Sequence, residues 1–346
     1  MIRKNQLSFM FFYLSALVVI VAGLKMAAQA VIILFLSIFI SSILTPLMLG
    51  MEKRGVPRAA AFLLLLGLVT AIFFFLITIL ANSFEGFIRN LPLYELKLRE
   101  LMVHWSESLG KMGIEMDPQL ILQSLDLRTF VAMGGKAAGN IGIFLSKAML
   151  VVIGVAFILF EAPQFGRKLE RIFQGRPETL ANFELFGHTI QKYFSIKTFT
   201  SMLTGVAITV TLVFFGIQYA TLWGFLGFLL NFIPVIGSML AAIPAILLAL
   251  FYKDPMTVLW LALCYVLINN LISNILEPKI MGDGLGLSPA VIFFSLIFWG
   301  WVLGPVGMFL AVPLTMTLKI ALDSHPDTRW LGVLLSNMRK ESGGNQ

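Results

Sequence analysis

The sequence is poor in charged residues and contains a single cysteine, Cys264. Charged side chains make up 12% of the 346 residues and hydrophobic side chains make up 58%, whereas a soluble domain has about 25% charged residues. A soluble fold is excluded because the chain has too few polar side chains to cover so much apolar material. An intrachain disulfide is excluded because only one cysteine is present.

Short motifs that identify common enzymes are absent as well. The sequence has no G-x-x-x-x-G-K-[ST] phosphate loop, no H-E-x-x-H metal pair and no G-x-S-x-G nucleophile turn. Its three histidines are scattered over polar segments and predict no metal site. The formal charge of +7 is better explained by basic residues that flank membrane spans than by a nucleic-acid partner. We therefore expect no enzyme activity, no cofactor and no nucleic-acid ligand.

The chain contains instead a series of apolar runs, uncharged except for Lys147 in the fourth, that are long enough to cross a bilayer. A helix of about 20 apolar residues crosses the hydrocarbon core. Each run has about this length or more. The fold class that we predict is an all-α polytopic membrane protein with about eight membrane segments and a small helical insert outside the membrane. The predicted segments are 6–24, 26–51, 59–84, 137–160, 198–219, 221–252, 256–276 and 284–318.

Two of these runs exceed one straight span and are interrupted by proline and glycine. The first break reads N-F-I-P-V-I-G at 231–237, and the second reads G-P-V-G at 304–307. Backbone groups freed inside lipid need a partner in protein or water, so each segment is either a broken crossing or a re-entrant hairpin, and the lengths favour hairpins. Paired breaks of this kind indicate the solute site of a secondary transporter. The candidate pathway residues here are Asn231, Pro234, Gly237, Gly304, Pro305 and Gly307.

The seventh segment is unusually polar in its second half. Asn270, Asn274 and Glu277 are spaced i, i+4 and i+7, which places them on one face of an α-helix. An acidic side chain at the centre of a membrane helix costs about 2.5 to 3.5 kcal/mol, so this face is expected to contact protein or water. Bonds between helices and lining of the solute pathway explain the asparagines equally well, whereas for Glu277 a solvated helix end is favoured over a proton site. All three are candidate pathway residues.

Basic residues predict the orientation of the chain. Arg3, Lys4 and the cluster at 53–58 lie on one side of the first two spans, so the positive-inside rule places the N-terminus in the cytoplasm. Broken crossings and hairpins both return the C-terminus to the same side. The two topologies differ in the sides on which Lys253 and Lys279 lie.

Changes in composition predict six parts of the chain. Apolar residues at spacings of three and four mark an amphipathic helix in the insert, and a second short helix is expected to end near Val131. The repeating residues are Leu98, Leu101, Trp105, Leu109 and Met112. The uncharged broken segments fall together in one later part. The parts are a three-span scaffold (1–84), a soluble amphipathic helical insert (85–136), a fourth span (137–160), a cytoplasmic amphipathic linker (161–197), a transport unit with the paired broken segments (198–319) and a cytoplasmic tail (320–346).

Four blocks of the sequence resemble the autoinducer-2 exporter family of bacterial permeases. They are N-F-I-P-V-I-G from Asn231, L-E-P-K-I-M-G from Leu276, G-L-G-L-S-P from Gly284, and L-I-F-W-G-W-V-L-G-P-V-G-M-F-L-A-V-P-L-T from Leu296. The last block is similar to the branch proposed to export the quorum-sensing signal itself. The resemblance implies a multi-pass protein of the bacterial inner membrane, a homo-oligomer and specifically a pentamer, that moves a small polar furanone-type signal outward.

Two alternative functions stay open at this point. Other members of the family that the sequence resembles are linked to sodium or lithium efflux in exchange for protons. A passive channel is the second alternative, because uncharged breaks in the middle of the membrane could also line a pore. The expected partners are therefore a small polar solute or a cation, the lipid bilayer and further copies of the chain.

Overall fold

The computed structural model describes residues 2–111, 141–175, 177–234, 236–281, 286–324 and 327–336. Regular structure in these residues is helical throughout, and no strand occurs among them, which confirms the all-α prediction. The helices are α1 (Ile2–Met26), α2 (Ala28–Lys53), α3 (Arg58–Gly110), α4 (Ile141–Ile172), α5 (Pro177–Phe214), α6 (Ala220–Leu230), α7 (Ile236–Tyr252), α8 (Pro255–Asn269), a π-helix (Asn270–Leu276), α9 (Glu277–Met281), α10 (Pro289–Leu303), α11 (Pro305–Asp323) and α12 (Arg329–Leu335).

Several of these helices suit a membrane. In the described part of the chain, five helical stretches are long and apolar enough to cross a bilayer: Ala28–Lys53, Arg58–His104, Phe183–Phe214, Pro255–Met281 and Pro305–Asp323. A sixth candidate is a pair of helices bent by 57°, Ser146–Ala162 and Gln164–Ile172. Shorter apolar helices account for the remaining predicted segments. The chain is thus a polytopic membrane protein, as predicted.

Two long helices continue through boundaries that the sequence predicted. α3 has 53 residues and joins the third span to the first helix of the insert, and α5 has 38 residues and joins the linker to the fifth span. The leucine, glutamate, lysine and arginine residues beyond the third span favour helix as strongly as the apolar residues before them. The change in composition therefore alters the surroundings of α3 and not its backbone. The predicted second helix of the insert lies outside the described residues.

The chain forms two compact units. One contains Met1–Leu66, Leu150–Lys197 and Ile280–Gln346, and the other contains Gly67–Met149 and Thr198–Lys279. Residues of the predicted transport unit (198–319) occur in both. Whether residues 198–319 move together during transport is a different question from how the chain packs. The transport unit therefore stays a prediction.

In the second unit, the first broken segment is a helical hairpin. α6 runs back along α5, because Ile208 lies against Gly227 while the earlier Ser201 bonds to the later Asn231. The end of α5, the start of α6 and the end of α7 meet in one buried cluster. α7 therefore returns to the level at which α6 began. With 11 residues, α6 is about 16 Å long and cannot cross about 30 Å alone. The cluster includes Leu212, Ala220, Trp223, Ala245, Leu248, Ala249, Leu261 and Tyr265.

In the first unit, the second broken segment is a tighter hairpin. Only Gly304 separates α10 from α11, and its backbone angles are φ 70° and ψ −156°, a region that is essentially restricted to glycine. The two helices pack together, and Trp299 Nε1 donates a hydrogen bond to Thr315 Oγ1 across 3.1 Å. Phe39 of α2 packs edge-on against Phe309 of α11, with ring centroids 5.2 Å apart. These contacts hold the hairpin within its unit.

A proline inside α2 leaves one backbone carbonyl without its helical donor. Pro46 has no N–H, so the carbonyl of Ser42, four residues earlier, cannot receive the usual helical bond. Gln191 of α5 supplies the missing donor, because its Nε2 lies 3.2 Å from Ser42 O. The proline is therefore tolerated through a bond between two helices.

Candidate functional site

The tip of the first hairpin is closed by a glycine. A Cβ on Gly237 would overlap the backbone carbonyl of Leu230, so the start of α7 approaches the end of α6 more closely than any larger residue allows. The chain turns at residues 231–234, and Asn231 is buried there, with 4% of its surface exposed. The tip thus carries one buried amide side chain.

The second hairpin uses the same device at its own tip. A Cβ on Gly307 would overlap the backbone carbonyl of Trp299. Pro305 occupies the first position of α11, where its missing N–H would have had no helical acceptor anyway. The two breaks share proline and glycine because both are hairpins. In each hairpin, a glycine lets one helix contact a backbone carbonyl of the other.

Asn231 connects three segments of the second unit through its side chain. Its Nδ2 donates to Ser201 Oγ of α5 across 3.0 Å. Its Oδ1 accepts from Ser273 Oγ of the π-helix across 3.2 Å. Asn231 is thus bonded on both sides, and each bond crosses to another part of the chain.

A second bond lies one residue away on α5. Thr200 Oγ1 donates to Glu277 Oε2 across 3.2 Å. Thr200 and Ser201 are both completely buried, and Thr204 is 1% exposed. The same helix carries Lys197, 4% exposed, one turn before Thr200. α5 therefore has a buried polar stripe facing the inside of the protein. We call the set Thr200, Ser201, Asn231, Ser273 and Glu277 the hairpin cluster.

The predicted grouping of Asn270, Asn274 and Glu277 on one face does not occur. Asn270 and Asn274 are exposed; Asn274 Nδ2 donates to Asn270 Oδ1 and Asn270 Nδ2 donates to Val266 O, both across 2.8 Å. Glu277 instead faces the cluster together with Ser273. The reason is the π-helix between them: its i→i+5 bonds take more residues per turn than an α-helix, which rotates Glu277 away from the asparagines.

Two of the nine predicted pathway residues, Asn231 and Glu277, therefore belong to the hairpin cluster. Pro234 and Gly237 shape the same tip, and Gly304, Pro305 and Gly307 shape the other. Sequence reasoning did not assign the hydroxyl residues Thr200, Ser201 and Ser273 to the pathway, although Ser273 lies in the polar half of the seventh segment. Their signal was visible as polar residues inside uncharged runs, but threonine and serine are common in membrane helices because they can bond to their own helix.

A small cavity lies near the second hairpin, within the first unit. It has a volume of about 280 Å³ and is lined by residues of α2, α5 and α11. Its hydroxyl groups bond to their own helices: Ser42 Oγ donates to Ile38 O and Thr317 Oγ1 to Pro313 O, both across 2.8 Å. The lining is otherwise apolar, so this cavity offers a polar solute little specific contact.

The hairpin cluster has the chemistry of a site for hydrogen-bonding solutes. It presents hydroxyl groups and an amide, each able to donate or to accept, and one carboxylate. Its oxygen atoms are also suitable ligands for a hard cation. Among the described residues, no group of three histidine, cysteine, aspartate or glutamate side chains could hold a metal ion.

Apolar spans, helical hairpins and a buried polar cluster at a hairpin tip together define a multi-pass membrane transporter. The sequence from residue 14 to residue 327 matches the family described as "AI-2E family transporter". The chain belongs to this family, which confirms the predicted resemblance.

Three bacterial relatives match over nearly the whole of both chains. A "Putative transport protein" of Haemophilus influenzae is 37% identical, with 94% of this chain and 95% of the relative covered. The "AI-2 transport protein TqsA" of Escherichia coli is 35% identical, with 95% of each covered. The "Putative transport protein YhhT" of Escherichia coli is 32% identical, with 95% of this chain and 94% of the relative covered.

Proposed function

We propose that this transporter exports a small polar signal of the autoinducer-2 type across the bacterial inner membrane, and that the hairpin cluster contacts the solute. The family and the 35% identity to the AI-2 transport protein TqsA support the choice of solute. The observation that carries the site is the buried bonding of Asn231 to Ser201 and Ser273.

A small oxygen-rich solute suits such a cluster for a physical reason. Buried hydroxyl and amide groups cost free energy when they lose their partners, so a solute can replace the bonds of Asn231 only if it offers donors and acceptors of its own. An apolar molecule of equal size would leave those groups unsatisfied and be rejected. The cluster thus selects for polarity without needing charge.

The remaining pathway and assembly assignments are part of the proposal. Pro234 and Gly237 would set the position of the first tip, and Gly304, Pro305 and Gly307 that of the second. Asn270 and Asn274, which are exposed on the helix that carries Ser273, would give the solute only a weak contact because they lie outside the hairpin cluster. The working form would be a homo-oligomer, specifically a pentamer, with both termini in the cytoplasm. Mass measurement of the detergent-solubilised protein tests the subunit number.

The direct test is a transport assay with the purified protein in liposomes. Efflux of autoinducer-2 loaded into the vesicles is measured with and without protein, and sodium and lithium fluxes are measured under a pH gradient. We expect protein-dependent efflux of the signal that Asn231→Ala reduces about ten-fold or more, since a lost buried hydrogen bond costs about 1 to 3 kcal/mol. Equal efflux from vesicles with and without protein would overturn the signal-export proposal.

Asn270→Ala is the matched control for Asn231→Ala. It removes the same amide group from an exposed position. Among the described residues, the Asn270 side chain bonds only to Val266 and Asn274. We expect it to keep most of the efflux activity. Loss of activity of equal size in both variants would argue against the hairpin cluster as the solute site.

The second candidate function, sodium or lithium exchange for protons, is favoured by one observation. Glu277 lies in the cluster with Thr200 Oγ1 3.2 Å from its carboxylate, and this carboxylate and the neighbouring oxygens could bind a cation and a proton in turn. Cation exchange that is abolished in Glu277→Gln, together with no signal efflux, would establish this function. Signal efflux that is independent of any ion or pH gradient and does not saturate would indicate a passive channel.

A further inference from the structure

The first unit contains a strongly basic surface cavity where α4 bends. The cavity has a volume of about 440 Å³, larger than the apolar cavity near the second hairpin. Four of its six lining residues are basic. The lining residues are Arg58, Phe160, Gln164, Arg167, Lys168 and Arg171. We call this feature the basic cavity.

The cavity lies at the bend of α4, and an arginine at the start of α3 forms one wall of it. The two parts of α4, Ser146–Ala162 and Gln164–Ile172, meet at an angle of 57°. Arg58 Nη2 lies 3.5 Å from Leu159 O and 3.3 Å from Phe160 O, so the guanidinium caps two carbonyls of the turn before the bend. Arg58 is thereby fixed at one wall of the cavity while part of its side chain stays accessible.

The charges around the cavity do not balance. Lys168 is paired with Glu161, and Arg58 Nε lies 3.7 Å from Glu52 Oε1. Within the described part of the chain, neither Arg167 nor Arg171 forms a salt bridge. Two exposed guanidinium groups, one turn apart on the same helix, therefore face the cavity without a salt bridge to any described carboxylate.

Guanidinium pairs of this kind recognise a particular class of anion. Arginine binds phosphate through two parallel N–H···O bonds, and basic cavities between membrane helices accept the head groups of anionic lipids. The apolar residues beside the cavity also favour a lipid. Phe157 and Phe160 are 72% and 66% exposed on the turns before the bend. An acyl chain could lie along these rings while its phosphate occupies the cavity.

We propose that the basic cavity binds a phosphate-bearing anion through Arg167 and Arg171. The phosphate of an anionic phospholipid fits both the charged cavity and the exposed phenylalanines beside it. Free phosphate shares the charged contacts only. This site is separate from the hairpin cluster and does not depend on the identity of the transported solute.

The test uses the full-length protein in a non-ionic detergent. The midpoint of thermal unfolding is followed by tryptophan fluorescence while phosphatidylglycerol, phosphatidylcholine or inorganic phosphate is titrated. We expect phosphatidylglycerol to raise the midpoint of the wild type, because a ligand that binds the folded state stabilises it. In Arg167→Gln/Arg171→Gln, the concentration needed for half of the shift should rise about ten-fold or more.

Lys111→Gln/Lys192→Gln is the matched control, since it removes two positive charges from exposed positions outside the cavity. This variant should respond to phosphatidylglycerol like the wild type. A shift with phosphatidylglycerol alone assigns the cavity to a lipid head group, and a shift with inorganic phosphate as well assigns it to phosphate from either source. The proposal is overturned by the absence of any shift, by equal shifts with phosphatidylcholine, or by equal weakening in the two double variants.

A single substitution guards against misfolding of the double variant. Arg167→Gln and Arg171→Gln should each raise the half-shift concentration by about three-fold if both groups contact the phosphate. A single variant that binds phosphatidylglycerol as tightly as the wild type would exclude that arginine from the site.

Discussion

Ser273 Oγ of the π-helix and Asn231 Oδ1 of the first hairpin are 3.2 Å apart, and the serine donates. This bond ties the irregular turn of one membrane helix to the tip of another. π-helical turns are rare and occur often at functional sites. The pairing of a π-helix with a hairpin tip therefore supports the placing of the solute site at this point.

The first prediction concerns the stability of the hairpin tip. Asn231→Ala should destabilise the purified protein by about 1 to 3 kcal/mol, because Ser201 and Ser273 each lose a buried partner. Thermal unfolding in detergent measures the change. Asn270→Ala, at an exposed position, should stay within about 0.5 kcal/mol of the wild type. A larger loss in Asn270→Ala than in Asn231→Ala would contradict the arrangement described here.

The second prediction separates two kinds of glycine in the second hairpin. Gly307→Ala should destabilise by about 1 to 3 kcal/mol or more, because its Cβ overlaps the Trp299 carbonyl. Gly304→Ala has open space around its Cβ, so only its backbone angles oppose the change, at about 1 to 3 kcal/mol. Gly67→Ala, in open space within α3, serves as the control and should leave the unfolding midpoint unchanged or raise it. Three equal midpoints would refute this account of the tip.

The third prediction tests the donor that Gln191 gives to α2. Gln191→Ala should cost about 1 kcal/mol, since the Ser42 carbonyl loses the partner that replaces the helical N–H. Pro46→Ala restores that N–H, so Gln191→Ala should cost less in the Pro46→Ala background. The double-mutant cycle in thermal unfolding should give a coupling of about 0.5 to 1 kcal/mol. A coupling of zero would mean that the two residues act independently.

The fourth prediction concerns the topology of the first hairpin. If the segment α6–α7 re-enters, Lys253 lies outside the cell and Lys279 lies in the cytoplasm; if it crosses, the two positions are reversed. In a Cys264→Ser background, Lys253→Cys and Lys279→Cys are labelled in intact cells with a membrane-impermeant maleimide. We expect labelling at position 253 and none at position 279, because the ends of α6 and α7 lie in one cluster. Labelling at 279 alone would establish the crossing topology.

The fifth prediction is a pH dependence at the start of α8. Asp254 accepts bonds from the hydroxyl and the backbone N–H of Thr257, at 2.7 and 2.9 Å, and these lower the pKa of its carboxyl below the ordinary 3.8. A lowered pKa stabilises the folded state above about pH 4 and loses this effect as the pH falls through the folded value. Asp254→Asn still caps the helix but does not titrate. Its unfolding midpoint should therefore fall less than that of the wild type between about pH 5 and pH 3, and parallel curves would contradict the assignment.

The sequence predicted the membrane class and the two breaks because both depend on local composition. Uncharged runs identify membrane helices, and proline with glycine at 234–237 and 304–307 identifies their interruptions. Asn231 was found as a polar residue beside such a break. These features can be recognised from the sequence alone, because a polar or helix-breaking residue in a membrane segment costs free energy unless the structure compensates for it.

The sequence could not give the partners of Asn231 or the face of Glu277. Ser201 and Ser273 are 30 and 42 residues away from Asn231, so their meeting depends on how the hairpin packs against α5 and α8. The face of Glu277 depends on the π-helix, for which the residues 270–276 carry no composition signal. The continuity of α3 was missed because a change from apolar to mixed composition was interpreted as an end of the helix.

Both hairpin tips are closed by a glycine against a backbone carbonyl, at Gly237 and Gly307, but the first tip is also bonded to its neighbours through side chains, and this has a consequence for divergence within the family. Those side chains are Ser201, Asn231 and Ser273. With the solute site proposed above, a relative could therefore acquire a new solute by exchanging these three side chains while both hairpins keep their shape.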